Sequence, residues 1–291
     1  MREELVRRNF ANSTIATYLR AVEGFRQFVG KQLDQAEPDD IRRYQVHLLE
    51  EKKLAKSTVI LSVSALRFLF VRVLKRREMK EDLPYPKRPK QLPTILSQDE
   101  VRRLIDGAKN LFHRAILMTL YGTGLRRSEL VHLKVSNIDS QRMMLRIENG
   151  KGRVDRDVPI DQQLLETLRE YWRWMRPQTY LFPGTENNWR VDKPITTKPV
   201  WEAVRDAARK AGLEKRVSPH TLRHSYATHL LEAGADLRTI QLLLGHADLS
   251  HTTIYLHLSQ KHLQAAPNPL GQIKVASADQ LPRSRSKHRP E

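Results

Sequence analysis

Residues 218–258, SPHTLRHSYATHLLEAGADLRTIQLLLGHADLSHTTIYLHL, gather His220, Arg223, His224, His229, His246, His251, Tyr255 and His257 into a segment otherwise patterned as packed helix. Ser218 suits a helix N-cap and Pro219 the first helical position, so His220 and Arg223 fall in the first turns. Backbone N–H groups point out of a helix N-terminus, the dipole adds positive potential, and residues three apart share a face. The pair is therefore suited to a single phosphate. Gly234 ends this helix, Asp236–Gly245 supplies the next, and His246 lies just past the glycine, where a side chain projects from a fixed turn rather than a helix face. Ser250 offers a cap to the short segment that follows, with Tyr255 near its middle.

A metal is the rival explanation for so many histidines. His220 and His224 are four apart, but the zinc-protease pattern needs Glu after the first His, and Thr221 stands there. No Asp or Glu is set among these histidines as a third ligand, so neither a metal nor another cofactor is expected. His224, His229 and His257 are expected to be ordinary hydrogen-bonded helix residues outside the site.

Two upstream stretches are weak signals taken singly. In YGTGLRRSELVHL two glycines precede a helix opening with Arg126, Arg127, Ser128 and Glu129. A glycine loop entering a helix can cradle phosphate, yet the spacing fits neither a nucleotide P-loop nor a dinucleotide fingerprint, and Arg126 with Glu129 also reads as a structural ion pair. In NGKGRVD, Lys151 stands at the tip of a hairpin turn, where a lone lysine is ordinarily solvated surface.

The elements that must position these residues fall into two segments. Within 12–30, Ile15, Tyr18, Val22, Phe25 and Val29 recur at helical spacing and Gly30 closes the run. DDIRRYQVHLLEEKK predicts a second helix, and STVILSVSALRFLFVRVLKRR a third with Ile60, Val63, Leu66, Phe70 and Val73 as its apolar stripe. Residues 81–93, EDLPYPKRPKQLP, are proline-rich and basic without periodicity, the composition of an extended linker. A new helix starts after Ser97, with Glu100 in capping-box spacing. Residues 143–160 predict a β-hairpin around the Asn- and Gly-rich turn, and helices are expected at about 161–176 and 197–211. The expected organisation is a helical domain at 1–80, a linker at 81–93, a mixed domain at 94–266 and a basic, disordered tail at 267–291. The fold class is mainly α with a small β-hairpin or sheet.

Composition narrows the partner. The 291 residues include 51 Lys and Arg against 33 Asp and Glu, a formal charge of +18, which predicts a polyanion. Residues 1–90 hold 20 basic and 12 acidic side chains and the remainder 31 and 21, so both segments are basic and two surfaces meet the phosphate backbone. No cysteine is present, which excludes disulfides and thiolate chemistry. No apolar run of about 18 residues spans a bilayer and the charged N-terminus lacks a secretory segment, so no membrane is expected and the location is cytoplasmic.

Taken together, Arg126 in G-T-G-L-R-x-S-E-L, Lys151 in G-K-G, His220 and Arg223 in H-x-L-R-H, His246 in L-G-H and Tyr255 nine residues later resemble the tyrosine recombinase (phage integrase) family, most closely its compact Xer-type and transposon-borne members. The resemblance covers nearly the whole chain, the helical N-terminal segment being similar to the family's core-binding domain; Val154 departs from it, at a hairpin position that is often basic. It implies two domains closing as a C-shaped clamp on double-stranded DNA, and four protomers on two recombination sites with a Holliday-junction intermediate. It also implies a site-specific recombinase working through a covalent 3′-phosphotyrosine without metal or ATP. A topoisomerase-like enzyme of the same chemistry and a non-catalytic regulator of recombination are the alternatives.

The side chains suit that chemistry. A tyrosine of pKa near 10 is ionised about once in a thousand at pH 7, so attack on a phosphodiester needs help with its proton. The guanidiniums of Arg126 and Arg223 suit the non-bridging oxygens and the charge that develops in the transition state. His220 either accepts the tyrosine proton or donates to phosphate, and His246 donates a further hydrogen bond. Lys151 is the general acid for the leaving 5′-hydroxyl in the role the resemblance assigns it.

Overall fold

The computed structural model describes residues 1–87, 92–148, 155–186 and 189–258. The chain divides into two units, Met1–Gln91 and Leu92–Glu291. The first comprises α1 (Arg2–Arg7), α2 (Asn12–Val29), α3 (Pro38–Val46) and α4 (Lys56–Arg67). The apolar stripe expected of α2 is the one it buries: Ile15, Val22 and Phe25 are enclosed, and Gly30 stops the helix in the left-handed region at φ 70°. Phe25 packs edge-on against both Tyr44 and Phe70, with ring centroids 5.2 and 5.9 Å away, tying α2 to the other helices of the unit.

α3 and α4 run on past their α-helical limits as π-helical turns, His47–Glu51 and Phe68–Val73. There Lys52 N–H donates to His47 O and Leu74 N–H to Leu69 O, each at 2.9 Å and five residues back. Leu69 and Phe70, adjacent in the second of these turns, are both buried. The start of the proline-rich segment belongs to this unit. Leu83 is buried, Asp82 pairs with Arg42 at 2.6 Å, and the Arg67 guanidinium lies 4.6 Å from the centroid of the Tyr85 ring.

The second unit comprises α5 (Gln98–Asp106), α6 (Leu111–Thr123), α7 (Arg127–Val131), β1 (Ile138–Asp139), β2 (Met144–Ile147), β3 (Arg156–Pro159), α8 (Gln162–Met175), β4 (Pro183–Glu186), β5 (Trp189–Pro194), α9 (Thr197–Lys210), α10 (Pro219–Glu232), α11 (Leu237–Leu244) and α12 (Ser250–Thr253). The capping box of α5 forms with both bonds, Glu100 N–H to Ser97 Oγ and Ser97 N–H to the Glu100 carboxylate. α6 is the central helix: Ala115–Leu120 are all buried, as an element apolar on every side must be, and it packs against α5, α8, α9 and α10.

The expected hairpin is β2 and β3, to which β1 adds a third antiparallel strand in the order β1-β2-β3. β4 and β5 pair as a separate two-stranded antiparallel sheet that periodicity does not predict. In the hairpin Leu145 faces Val158 and Ile147 faces Arg156. Period-two alternation then puts Arg156 on the same inward face as Val158 and Ile160. The hairpin tip with Lys151 and Val154, residues 88–91 of the proline-rich segment and the chain beyond residue 258 lie outside the described residues. Among the described residues no helix is long and apolar enough to cross a membrane.

Candidate active site

The site grows from the ends of four helices in the second unit. α6 ends at Gly124 (φ 60°) and α11 at Gly245 (φ 61°), both left-handed caps that leave helix-terminal carbonyls pointing outward. These carbonyls are the negative ends of two helix dipoles, and they hold the arginines. Arg223 of α10 donates from Nη1 to Gly124 O at 2.7 Å and from Nη2 to Leu244 O at 2.6 Å. Arg126 donates from Nη2 to Gly245 O at 3.0 Å and from Nη1 to Glu129 Oε1 at 2.8 Å. A guanidinium has five N–H donors. Each arginine thus commits two among the described residues and keeps three for an anion.

Gly124 is required twice, once by its positive φ and once because a Cβ there would collide with the Tyr226 ring and lie 3.1 Å from Leu244. Gly124→Ala is expected to cost about 3 kcal/mol and to displace the carbonyl that anchors Arg223. A urea-unfolding midpoint measures this, and a loss below about 0.5 kcal/mol would show that the cap adapts freely.

Glu129 connects the two arms of the site. Its Oε2 accepts from Arg126 N–H (2.8 Å) and Arg156 Nη2 (2.7 Å), its Oε1 from Arg126 Nη1 (2.8 Å) and Arg156 Nη1 (3.1 Å). Burial by itself would raise its pKa, yet the hydrogen bonds and charges of Arg156, then Arg126, hold it down at about 2. Arg156 also donates its Nε–H to Leu243 O at 2.7 Å, so the hairpin base is fastened to α11. The Arg126–Glu129 pair expected from sequence is therefore one half of a largely enclosed trio with Arg156, and Arg156 is a candidate site residue that motif reading missed. Its signal lay in the alternation R-D-V-P-I, which puts an arginine in line with two core residues.

α10 begins as the sequence requires, with Ser218 as N-cap accepting from Thr221 N–H at 3.2 Å and Pro219 in the first turn. His220 is exposed, whereas Arg223 turns inward and is only 4% exposed. Burial and then the neighbouring charge of Arg126 bring the Arg223 guanidinium down to about 10. Partial enclosure of the His220 ring, followed by Arg223, Arg127 and Arg126, pushes its pKa below the ordinary value. Arg126, Arg127, Arg156 and Arg223 stand against the single carboxylate of Glu129, so the cluster carries an uncompensated positive field.

His246 follows the Gly245 cap in a turn closed at both ends: its N–H donates to Gln241 O at 3.1 Å, and Gln241 Nε2 donates to His246 O at 3.0 Å. Its Nδ1 lies 2.9 Å from the buried Thr252 hydroxyl. Burial, then Arg223 and Arg126, lower its pKa to about 3. α12 starts at Ser250 itself, with Leu249 in the cap position, and passes into a 3₁₀ turn, Ile254–His257, that carries Tyr255. Tyr255 joins a small apolar cluster with Tyr226, Leu231, Ile240 and Leu244 and is 1% exposed. Its pKa is raised by burial and pulled back in part by Arg223 and Arg126.

One expectation needs correction. His224 does not stand outside the site, since its Nδ1 is 3.1 Å from the Tyr255 hydroxyl. α10 is buried on nearly every face around it, Leu222, Arg223, Ser225 and Tyr226 included, so a polar ring there had to find a partner. His229 bonds the Tyr121 hydroxyl at 2.9 Å, away from this constellation. Among the described residues, no group of three or more His, Asp or Glu side chains is arranged to hold a metal ion. Arg126, His220, Arg223, His246 and Tyr255 therefore lie on elements that converge at the α6 and α11 caps, and Lys151 lies outside the described residues.

Residues 94–262 match the phage integrase family, and residues 1–79 match its N-terminal SAM-like domain. A provisionally named integrase/recombinase of Sinorhizobium fredii, y4qK, is 48% identical over 270 residues, which cover 92% of this chain and 86% of the relative. The tyrosine recombinase XerA of Pyrococcus furiosus is 37% identical over 278 residues, 91% of this chain and 95% of the relative. Among solved structures, that of XerA recombinase shares 35% identity and a TM-score of 0.54 over 90% of this chain and 93% of that one. Lambda integrase residues 75–356, bound as a dimer to a COC′ core site, share the fold at a TM-score of 0.73 and 19% identity, over 87% of this chain and 92% of that one.

Proposed function

The chain belongs to the phage integrase family of tyrosine recombinases and is a DNA strand-transferase of site-specific recombination, and from that premise we propose that Tyr255 is the nucleophile with which it cuts and rejoins its DNA. The observation that supports this most is the pair Arg126 and Arg223, each held from behind by helix-terminal carbonyls and each keeping three N–H groups, whose positive charges both act on Tyr255.

A phosphodiester entering this field meets two guanidinium forks on its non-bridging oxygens, where charge builds as the tyrosine oxygen attacks. His246, with Nδ1 on the Thr252 hydroxyl, has Nε2 left to donate to the same phosphate. His220 at the exposed rim accepts the tyrosine proton as the Oη–P bond forms. The Tyr255 Oη–P bond forms, the P–O5′ bond breaks, and the 5′-oxygen leaves with a proton from Lys151 in the role the resemblance gives it. The phosphotyrosine keeps a phosphodiester-like bond, so a 5′-hydroxyl from another strand reverses the step without ATP.

Residues 1–80 are assigned to a DNA-binding helical domain and 94–266 to the catalytic domain, each meeting duplex DNA with a basic surface. The recombinase XerH solved on a difH substrate and lambda integrase solved on a core site support DNA as the partner. A homotetramer on two sites, in the cytoplasm, completes the reading. Relatives named as recombinases favour this over a topoisomerase or a non-catalytic regulator.

A pool of nicked duplexes carrying random sequence, denatured in detergent after incubation, tests the assignment. The wild type is expected to yield a covalent adduct that peptide mapping places on Tyr255, and Tyr255→Phe to reduce it by on the order of 10³-fold or more. An adduct that persists in Tyr255→Phe, or a wild type that forms none, would overturn it.

A further inference from the structure

Resting on Tyr255 as nucleophile, we infer that His224 is a further catalytic residue, whose Nδ1 accepts the Tyr255 hydroxyl hydrogen and so orients the attacking oxygen. The two atoms are 3.1 Å apart, and the rings meet at a centroid distance of 5.8 Å with an interplanar angle of 51°. This places Nδ1 within hydrogen-bonding reach of the reacting atom. No other hydrogen bond to the Tyr255 hydroxyl is found among the described residues. His224 sits one residue beyond Arg223 on the same rigid helix, so the orientation of the nucleophile and of a phosphate-binding fork are set by one element.

The charge state suits an acceptor. Burial, followed by the positive charge of His220 and Arg223, lowers His224 to about 4, so the imidazole is neutral across the physiological range. With Nδ1 as acceptor, Nε2 carries the ring proton. A free phenol rotates its O–H about the C–O bond, and each wrong rotamer points the proton rather than a lone pair at the phosphorus. Fixing that rotation is a contribution to near-attack geometry. His224 takes no covalent part: when the Oη–P bond forms, the proton leaves this hydrogen bond for the general base His220, one turn earlier on the same helix.

The test separates orientation from stability and from proton uptake. In His224→Asn the amide Oδ1 stands close to the position of Nδ1 and accepts a hydrogen bond but takes up no proton, whereas His224→Ala removes the acceptor. With saturating nicked duplex selected on the wild type, His224→Ala is expected to lower the single-turnover rate of Tyr255 adduct formation by about 10- to 100-fold while DNA affinity stays within about threefold. His224→Asn is expected to recover most of that loss. An alanine rate within about twofold of the wild type would overturn the inference. So would an asparagine variant that binds DNA normally yet reacts as slowly as alanine, because proton uptake would then be the role. Mapping the wild-type adduct to Tyr255 in the same experiment keeps the nucleophile assignment independent of either outcome.

Discussion

Arg223→Ala is expected to slow formation of the Tyr255–DNA adduct by about 10³-fold under single-turnover conditions, with a much smaller loss of DNA affinity. The guanidinium serves two sides. Toward the protein it joins the caps of α6 and α11 through Gly124 O and Leu244 O, and toward the substrate it presents its three remaining donors to a phosphate whose charge grows in the transition state. Arg223→Lys separates these duties. An ammonium is a compact point charge on a flexible stem and cannot bridge two carbonyls while presenting a planar fork. It keeps the field but not the geometry, and a loss of about 10²-fold is expected. A lysine variant as active as the wild type would mean that charge alone, without the fork, is what the phosphate requires.

Glu129→Gln is expected to lower stability by about 3–5 kcal/mol at neutral pH, because it leaves Arg126 and Arg156 buried without their anion. The two side chains facing each other here are 5% exposed for Glu129 and 8% for Arg156. Solvent therefore does little to compensate. The folded-state pKa of Glu129 is depressed from an ordinary 4.5 to about 2. A depressed carboxylate contributes stability that is fully present above the unfolded value and disappears as the pH falls through the folded one. The contribution is about 3 kcal/mol, present above pH ~4.5 and lost toward pH ~2. Urea midpoints taken between about pH 6 and pH 3 should therefore show the gap between wild type and Glu129→Gln narrowing in acid. A gap that stays constant would indicate that the carboxylate is not held in its ionised form by the arginines. The same variant is expected to loosen Arg126, so adduct formation should fall along with stability.

The difference between the residues read correctly and those missed has a physical basis. Ser218, Pro219, Gly30 and the Ser97–Glu100 pair act through bonds spanning a few residues, so their effect on helix ends is written locally. Helical spacing likewise exposed the buried stripe of α2, because any core on that side demands it. The π-helical turns after α3 and α4 escaped because apolar spacing does not separate a hydrogen bond five residues back from one four residues back. The pairing of β4 with β5 was equally invisible to short, polar, irregular segments.

The site shows the same division. Residue type and order along the chain single out the side chains proposed to bear the chemistry, since Arg126, Lys151, His220, Arg223, His246 and Tyr255 stand in motifs that resemble one family. Only the tertiary structure decided what holds them. Arg156 lies 27 residues from Glu129 and 87 from Leu243, yet joins both. His224, which helical reading had set aside, reaches a tyrosine 31 residues on. A motif records the groups that meet the substrate. The carbonyls, carboxylate and imidazole that fix those groups come from elsewhere in the chain, and their identity follows from which helix ends the core brings together, a property of packing that sequence order does not contain.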